Sequence, residues 1–305
     1  ISTMVNKNTP LHPQKRPIHG VLRENHPKNT IFIIAIALLL CGALFCGAAA
    51  AEDETHPHGD ITFQPWDHND SLPNTAGSYY LTTDVTIRET WKVQSGTTNL
   101  CLNGYSITRN GNFDFIEING TNNNLNLYDC KGGGSITGNS STNNGRGVCV
   151  KNGGTFNMYG GSITGNTATW YSGEEKGRGG GVFVRGGTFN MSNDASITGN
   201  SAMDDEGGGV CVLSGTFTME GGSITKNTAY QGGGVYVDDG TFNMYGGSIT
   251  GNSANGGGVY VNKESHFSVE GTASVMNNSS NNVFLSMWEG GEASPHRKSD
   301  RNSAG

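Results

Sequence analysis

Short apolar phrases alternate with polar positions along the body of the chain and return at a regular interval. A Ser-Ile-Thr phrase occurs six times, with its central isoleucines 25 to 34 residues apart, and repetition with this period is typical of solenoids. A Val-x-Val phrase and a Phe-x-Met phrase also recur, and each alternates with a period of two, which predicts strands with one buried face. The isoleucines are Ile107, Ile136, Ile163, Ile197, Ile224 and Ile249, and Val275 occupies a degenerate seventh copy.

Three short strands in each period, joined by glycine-rich turns, fit one coil of a parallel β-helix. In that fold every strand stacks on its equivalent in the next coil, about 4.8 Å away, and we predict about seven coils of three short strands. The alternation directs the Val, Ile, Phe and Met side chains inward. It directs outward the middle residues of the Val-x-Val phrase, so this row is predicted to be an exposed stripe that takes a partner or packs against a terminal segment. The row is Cys149, Phe183, Cys211, Tyr236 and Tyr260.

The turns repeat as regularly as the strands. An asparagine follows each of five Ser-Ile-Thr phrases by two positions, and stacked turn asparagines can hydrogen-bond along the ladder, which predicts a structural role. The glycine triplets at 207–209, 232–234 and 256–258 predict sharp corners with close packing between coils. The asparagines are Asn139, Asn166, Asn200, Asn227 and Asn252.

The N-terminal part predicts export. Residues 1–30 carry five basic residues against one acid, Glu24, and an uncharged apolar stretch follows from Ile31 to Ala51. This order is that of a secretory signal, although the apolar stretch is also long enough to span a bilayer as an anchor. We therefore expect a secreted or cell-surface protein with four segments. These are a signal peptide or membrane anchor at 1–51, a linker at 52–71, the β-helix at 72–285 and a disordered polar tail at 286–305; the first coil and its cap are expected within residues 60–100.

Composition and charge narrow the class of partner. The 305 residues include 48 glycines that do not fall at every third position, which excludes collagen. The formal net charge is −7 and would become −11 without residues 1–51. We therefore expect no nucleic-acid partner, and contact with a membrane only through the N-terminal segment.

The cysteines and histidines show no metal-binding or catalytic pattern. Cys101 and Cys130 lie one coil apart and could reach each other, whereas Cys149 and Cys211 are two coils apart, too far for a disulfide. The histidines at positions 56 and 58, with an aspartate at position 60, form only a lone cluster, so no metal site and no cofactor are predicted.

The repeat resembles that of known surface proteins. Ile163–Ala168 together with Gly179–Val182 is similar to the Phe-x-x-Asn and Gly-Gly-Ala-Ile repeats of chlamydial polymorphic membrane proteins, with Ile in place of Phe. The segments 79–86 and 100–108 resemble the first coil of secreted β-helix proteins of gut anaerobic bacteria. The resemblance covers roughly residues 72–285. It implies the pectin-lyase-like right-handed parallel β-helix and an adhesin-like role, and it carries no catalytic motif.

The turn between the Ser-Ile-Thr strand and the Val-x-Val strand varies most in length and composition. Variable insertions of a solenoid fall on one face, which is often where it binds. Aromatic rings beside charged groups can stack on a sugar face and hydrogen-bond its hydroxyls, so we expect a ligand site in this long turn. The candidate residues are Trp170, Tyr171, Glu174, Glu175, Arg178, Asp204, Asp205, Glu206 and Tyr230.

These features leave three classes of function open. We favour an adhesin-type protein that binds a glycan, or a surface protein of a host or neighbouring cell, without catalysis. The alternative is a polysaccharide lyase or glycoside hydrolase, in which Glu174 or Glu175 would pair with Asp204 or Asp205, or an arginine would serve as a base. The arginines considered are Arg146 and Arg178. A passive structural rod is the third class, and no catalytic residue is assigned.

Overall fold

The computed structural model describes residues 58, 60–138, 145–169 and 177–286, all within a compact unit that spans Thr55–Gly305. The described residues form strands and turns and no helix. In chain order the strands are β1 Gln64–Trp66, β2 Gly77–Leu81, β3 Val85–Ile87, β4 Trp91–Lys92, β5 Gly96–Cys101, β6 Ser106–Arg109, β7 Ile116–Asn119, β8 Asn123–Tyr128, β9 Ser135–Thr137, β10 Val148–Lys151, β11 Thr155–Met158, β12 Ser162–Thr164, β13 Thr167–Ala168, β14 Val182–Arg185, β15 Thr188–Met191, β16 Ser196–Thr198, β17 Ser201–Glu206, β18 Val210–Leu213, β19 Thr216–Met219, β20 Ser223–Thr225, β21 Thr228–Gln231, β22 Val235–Asp238, β23 Thr241–Met244, β24 Ser248–Thr250, β25 Val259–Val261, β26 His266–Val269, β27 Ser274–Met276 and β28 Val283–Leu285.

The strands stack into three long parallel sheets, one for each phrase of the repeat. The Phe-Met sheet has nine strands in the order β1-β2-β5-β8-β11-β15-β19-β23-β26. The Val-Val sheet has eight, β4-β7-β10-β14-β18-β22-β25-β28, and the Ser-Ile-Thr sheet has eight, β3-β6-β9-β12-β16-β20-β24-β27. A fourth, short sheet joins β13, β17 and β21. The chain is thus a right-handed parallel β-helix, as predicted, and β1 to β4 lie within residues 60–100, where the first coil was expected.

The register brings identical residues together across the coils, because each strand pairs with the same phrase in the next period. Phe156 pairs with Phe189, and Phe217 pairs with Phe242, with the rings of successive phenylalanines stacked 4.6 to 5.1 Å apart. Ile163 pairs with the isoleucine of the coil on either side. All these side chains are fully buried, so the predicted inward columns are confirmed.

The prediction of an exposed outer stripe on the Val-Val sheet is wrong. Cys149, Phe183, Cys211 and Tyr236 form a second buried apolar cluster, against which Tyr260 packs. The preceding turn folds back over this row. A Cβ atom built on a glycine of that turn, at position 179, would lie only 2.8 Å from the Cβ of Phe183, and the glycine has a φ of +71°. The alternation within a strand could not reveal this cover, because the cover belongs to the preceding turn and not to the strand.

The turn asparagines form the predicted ladder. Asn166, Asn200, Asn227 and Asn252 are almost completely buried. Each donates from its side-chain amide to the amide oxygen of the next, at 3.0 Å for the three bonds that join these four. Asn139 lies outside the described residues. The ladder therefore satisfies buried polar groups at a corner where the chain leaves the Ser-Ile-Thr sheet.

The prediction of a signal or anchor cannot be compared with the fold, because Ile31–Ala51 lies outside the described residues. Within the described part, no helix is long and apolar enough to cross a membrane.

Candidate functional site

The long turn brings three of the predicted site residues together. Arg178 precedes β14, whereas Asp205 and Glu206 end β17 in the next coil. The Nε atom of Arg178 lies 2.7 Å from Oε2 of Glu206 and 3.3 Å from Oδ1 of Asp205. The guanidinium also lies 3.9 Å from Oδ2 of Asp238 and over the ring of Tyr236, 6.0 Å from its centroid. This network closes the turn over the second apolar cluster.

Burial and charge set the protonation of this network. Burial, together with a hydrogen bond that the protonated Glu206 donates to Asp205, raises the pKa of Glu206 to about 7, although the charge of Arg178 acts in the opposite direction. For Arg178, burial acts to lower the pKa, but the charges of Glu206, Cys211 and Asp205 outweigh it and the pKa is raised. The arginine therefore stays protonated at neutral pH and holds the two carboxyl groups as a structural clamp.

We expect the free energy of unfolding to fall as the pH rises from about 5 to about 8. The pKa of Glu206 is about 7 in the folded chain against an ordinary value of 4.5, so the folded chain keeps a proton that the unfolded chain has released. The contribution of this group is therefore full below 4.5 and is lost as the pH rises through 7, by about 1 to 2 kcal/mol because the carboxyl group is only partly buried and solvent weakens the effect. Urea denaturation at the two pH values measures it. Glu206→Gln should flatten the dependence, and the exposed Glu220→Gln should leave it unchanged; equal slopes in all three proteins would contradict it.

Of the other predicted site residues of the long turn, only Tyr230 has a side chain that the structure describes. Tyr230 lies on β21 with 55% of its surface exposed, so it is open to a ligand. Trp170, Tyr171, Glu174 and Glu175 lie outside the described residues, and so does the side chain of Asp204. Arg146, considered above as a base, is buried, forms an ion pair with Asp114 and packs its guanidinium 4.5 Å from the centre of the Phe183 ring. The described part of the long turn is thus a charge-paired surface with one exposed tyrosine.

A groove of about 1120 Å³ lies at a different corner, where the chain leaves the Phe-Met sheet. Tyr128 ends β8 and Tyr159 directly follows β11 in the next coil, so the stacking of successive coils places one ring above the other. The rings stack at 5.0 Å with 22° between their planes, and Tyr159 is 36% exposed. The lining is His58, Tyr128, Asp129, Cys130, Lys131, Gly132, Gly133, Gly134, Tyr159, Gly160, Gly161, Ser162, Asn193, Asp194 and Ser196.

Asp129 shapes the floor of this groove. Its carboxylate accepts hydrogen bonds from the backbone N–H groups of Gly104 and Gly134, both at 2.7 Å. Gly104 has a φ of +83°, and the two amides converge on the carboxylate from turns one coil apart. Asp129 therefore fixes the turns, whereas Lys131, Asn193 and Asp194 supply polar groups along the wall. The sequence carries a signal for this site, because Tyr128 and Tyr159 occupy equivalent positions at the end of the Phe-Met strand in two successive coils.

Three side chains of the types that can ligate a metal ion meet at the same corner. The sulfur atoms of Cys101 and Cys130 lie 3.1 Å apart, at hydrogen-bond distance, so the expectation that the two cysteines could reach each other is met. Burial raises the pKa of the Cys101 thiol to about 12, and the hydrogen bond with Cys130 adds to this. The His58 ring lies 4.6 Å from that of Tyr128 and 4.8 Å from that of Phe63. The donor atoms of His58, Cys101 and Cys130 all lie within 4.8 Å of one another.

Both surfaces combine residues from successive coils, so neither is visible in a single repeat. Comparison with protein-family models, with curated proteins and with solved structures found no match. The function of this chain must therefore be inferred from its own residues.

Proposed function

We propose that this chain is a secreted or cell-surface β-helix protein of adhesin type, which binds a glycan without catalysis. The observation that carries the proposal is the stacked pair Tyr128 and Tyr159 in an open groove. A tyrosine ring offers an apolar face to the C–H groups of a sugar, and its hydroxyl stays available for hydrogen bonds. Such a platform suits a ligand that is apolar on one face and polar at its rim.

The rest of the groove matches the same ligand. Lys131, Asn193 and Asp194 add charged and amide groups to the same lining as Tyr159, and Ser162 and Ser196, the first residues of β12 and β16, add hydroxyl groups. A few polar groups around an apolar surface are typical of sites that recognise the orientation of a small ligand. Because the lining comes from three successive coils, the groove extends across the coils, as an extended polymer requires.

Two features of the sequence support the cellular setting. The basic and then apolar N-terminal segment predicts export. The repeats resemble those of chlamydial polymorphic membrane proteins and of secreted β-helix proteins of gut anaerobic bacteria, which supports the pectin-lyase-like class and an adhesin-like role. We infer that the bound glycan lies outside the cell that makes the protein.

Affinity electrophoresis tests the proposal. The full chain is run through gels that contain plant, mucin or bacterial-wall polysaccharides, and we expect retarded migration in at least one of them. Tyr159→Ala should weaken that binding about fivefold, because stacking on an aromatic ring contributes about 1 kcal/mol. Tyr245→Ala is the matched control, since this tyrosine follows β23 at the equivalent position, is 43% exposed and lies outside the groove.

Each other outcome has a defined meaning. Unchanged mobility in every gel contradicts glycan binding on that panel and favours a protein partner or a passive rod. Loss of retardation with Tyr230→Ala, but not with Tyr159→Ala, moves the site to the long turn. New chain ends in the treated polysaccharide contradict the non-catalytic part of the proposal and indicate a lyase or hydrolase.

A further inference from the structure

The convergence of His58, Cys101 and Cys130 links three parts of the chain that are distant in sequence. Cys101 ends β5, and Cys130 follows β8 by two residues in the next coil. His58 precedes β1 and reaches the same corner from outside the coils. Their sulfur and nitrogen donor atoms all lie within 4.8 Å of one another.

The spacing of these donors suits a tetrahedral metal ion. With metal–sulfur bonds of about 2.3 Å and metal–nitrogen bonds of about 2.0 Å, neighbouring donors of such a site lie roughly 3.5 to 3.8 Å apart. The two sulfur atoms, now 3.1 Å apart, would need to separate by about 0.7 Å, and the most distant donors, within 4.8 Å of each other, would need to approach by about 1 Å. Two thiolates and one imidazole form a soft donor set, which selects Zn²⁺ or Cu⁺ over Ca²⁺ or Mg²⁺.

The surroundings hold these side chains in place before any ion arrives. Cys101 is fully buried and belongs to a strand that pairs along its whole length with β8. The His58 ring packs against the rings of Phe63 and Tyr128, which also contact each other edge to face at 5.8 Å. Cys130 is exposed, and it lines the groove together with His58. A metal ion held by the three donors would therefore keep its fourth coordination position toward the groove.

We propose that His58, Cys101 and Cys130 form a binding site for a thiophilic cation of the Zn²⁺ class, with three protein ligands and one position open to the groove. The site faces the same groove as the proposed glycan platform, but its three ligands are separate from Tyr159 and from the polar wall residues Lys131, Asn193 and Asp194, so different variants test the two proposals. In open sites of this composition a bound water or an external ligand completes the tetrahedron.

The test uses the full chain, reduced and then freed of reductant without oxygen, and titrated with Co²⁺ as a spectroscopic probe. We expect one equivalent to bind, with the thiolate-to-cobalt charge-transfer absorption of a cysteine-ligated site, and Zn²⁺ to displace it. Cys130→Ser should remove about half of the charge-transfer intensity at saturation, because Cys101 remains, and should weaken the affinity at least tenfold, and His58→Ala should weaken it to a similar extent. Because Cys130 is exposed, its replacement by serine should leave the fold intact.

Matched controls come from the same chain. Cys211→Ala removes a buried thiol of the second apolar cluster, and His266→Ala removes an exposed imidazole; neither should change Co²⁺ binding. Zn²⁺ should also raise the midpoint of thermal unfolding in the parent chain, and much less in Cys130→Ser. This second readout separates the loss of a metal-ligating side chain from the loss of the fold, because the midpoints of thermal unfolding of the two proteins without metal are compared directly.

Three results would overturn the site. The first is a titration without charge-transfer absorption, and the second is Co²⁺ binding that Cys130→Ser leaves unchanged. The third is a disulfide between Cys101 and Cys130 in the chain isolated from its native compartment, seen as a mass lower by two hydrogens. In the last case an oxidant has taken both electrons of the thiols, and no thiolate remains for a metal. None of these results affects the gel assay for glycan binding, so the two proposals fail separately.

Discussion

Replacement of Ile163 by aspartate is expected to leave the chain unfolded or insoluble. Ile163 is fully buried at the centre of the isoleucine column and pairs with Ile136 and Ile197 in the adjacent coils. An unpaired carboxylate in this column has no hydrogen-bond donor from the flanking isoleucines. Burial of such a charge costs several kcal/mol, which is comparable to the total stability of a typical domain, about 5 to 15 kcal/mol. Solubility after expression and a thermal melt measure the effect.

Two matched variants separate burial from local strand propensity. Thr164→Asp places the same carboxylate on the outer face of the same strand, where the side chain is only half-buried, and should change stability by no more than about 1 kcal/mol. Ile163→Val keeps the column apolar and should cost about 1 kcal/mol. A cooperative melt of Ile163→Asp within a few degrees of the parent chain would contradict the inward assignment of this strand.

The apolar columns could be predicted because each strand of a β-helix pairs with the equivalent strand of the next coil. Residues one period apart in the sequence therefore become neighbours in space. Once the period is known, Phe156 must lie beside Phe189, and the alternation within each phrase decides which face is inside. The same reasoning grouped Arg178, Asp205 and Glu206 among the candidate ligand residues of one variable turn, because the turns of successive coils occupy equivalent places. The structure brings these three side chains within hydrogen-bond distance.

Two features escaped this reasoning for physical reasons. The outer row at Phe183 and Tyr236 is buried because turn backbone and two arginine side chains of the turns cover it, and no alternation within a strand reports what lies above its outer face. The approach of His58 to the cysteines is a contact between the segment before the first strand and the side of the coils. It belongs to no repeat, so neither period nor register could predict it.

The turn asparagines give the second large expected effect, at Asn227. Its amide nitrogen donates to the backbone oxygen of Ile197 and to Oδ1 of Asn252, both at 3.0 Å. Its own Oδ1 accepts from the backbone and side-chain N–H groups of Asn200. Asn227→Asp keeps the size of the side chain, but it turns the donor into an oxygen that faces two acceptors in a fully buried site. We expect a loss of about 3 kcal/mol or more at neutral pH.

The pH dependence of this variant distinguishes a buried charge from a simple loss of packing. Burial and the facing oxygens raise the pKa of the new carboxyl group in the folded state above its unfolded value. Its protonated form can donate one of the lost hydrogen bonds, so the stability of Asn227→Asp should recover toward acid pH and fall as the pH rises. Asn190→Asp is the matched control, because Asn190 belongs to the half-buried outer ladder and donates to Asn157 at 2.8 Å. We expect the control to lose less than about 1 kcal/mol in urea denaturation; equal losses at the two positions would show that burial of the corner ladder does not govern its contribution.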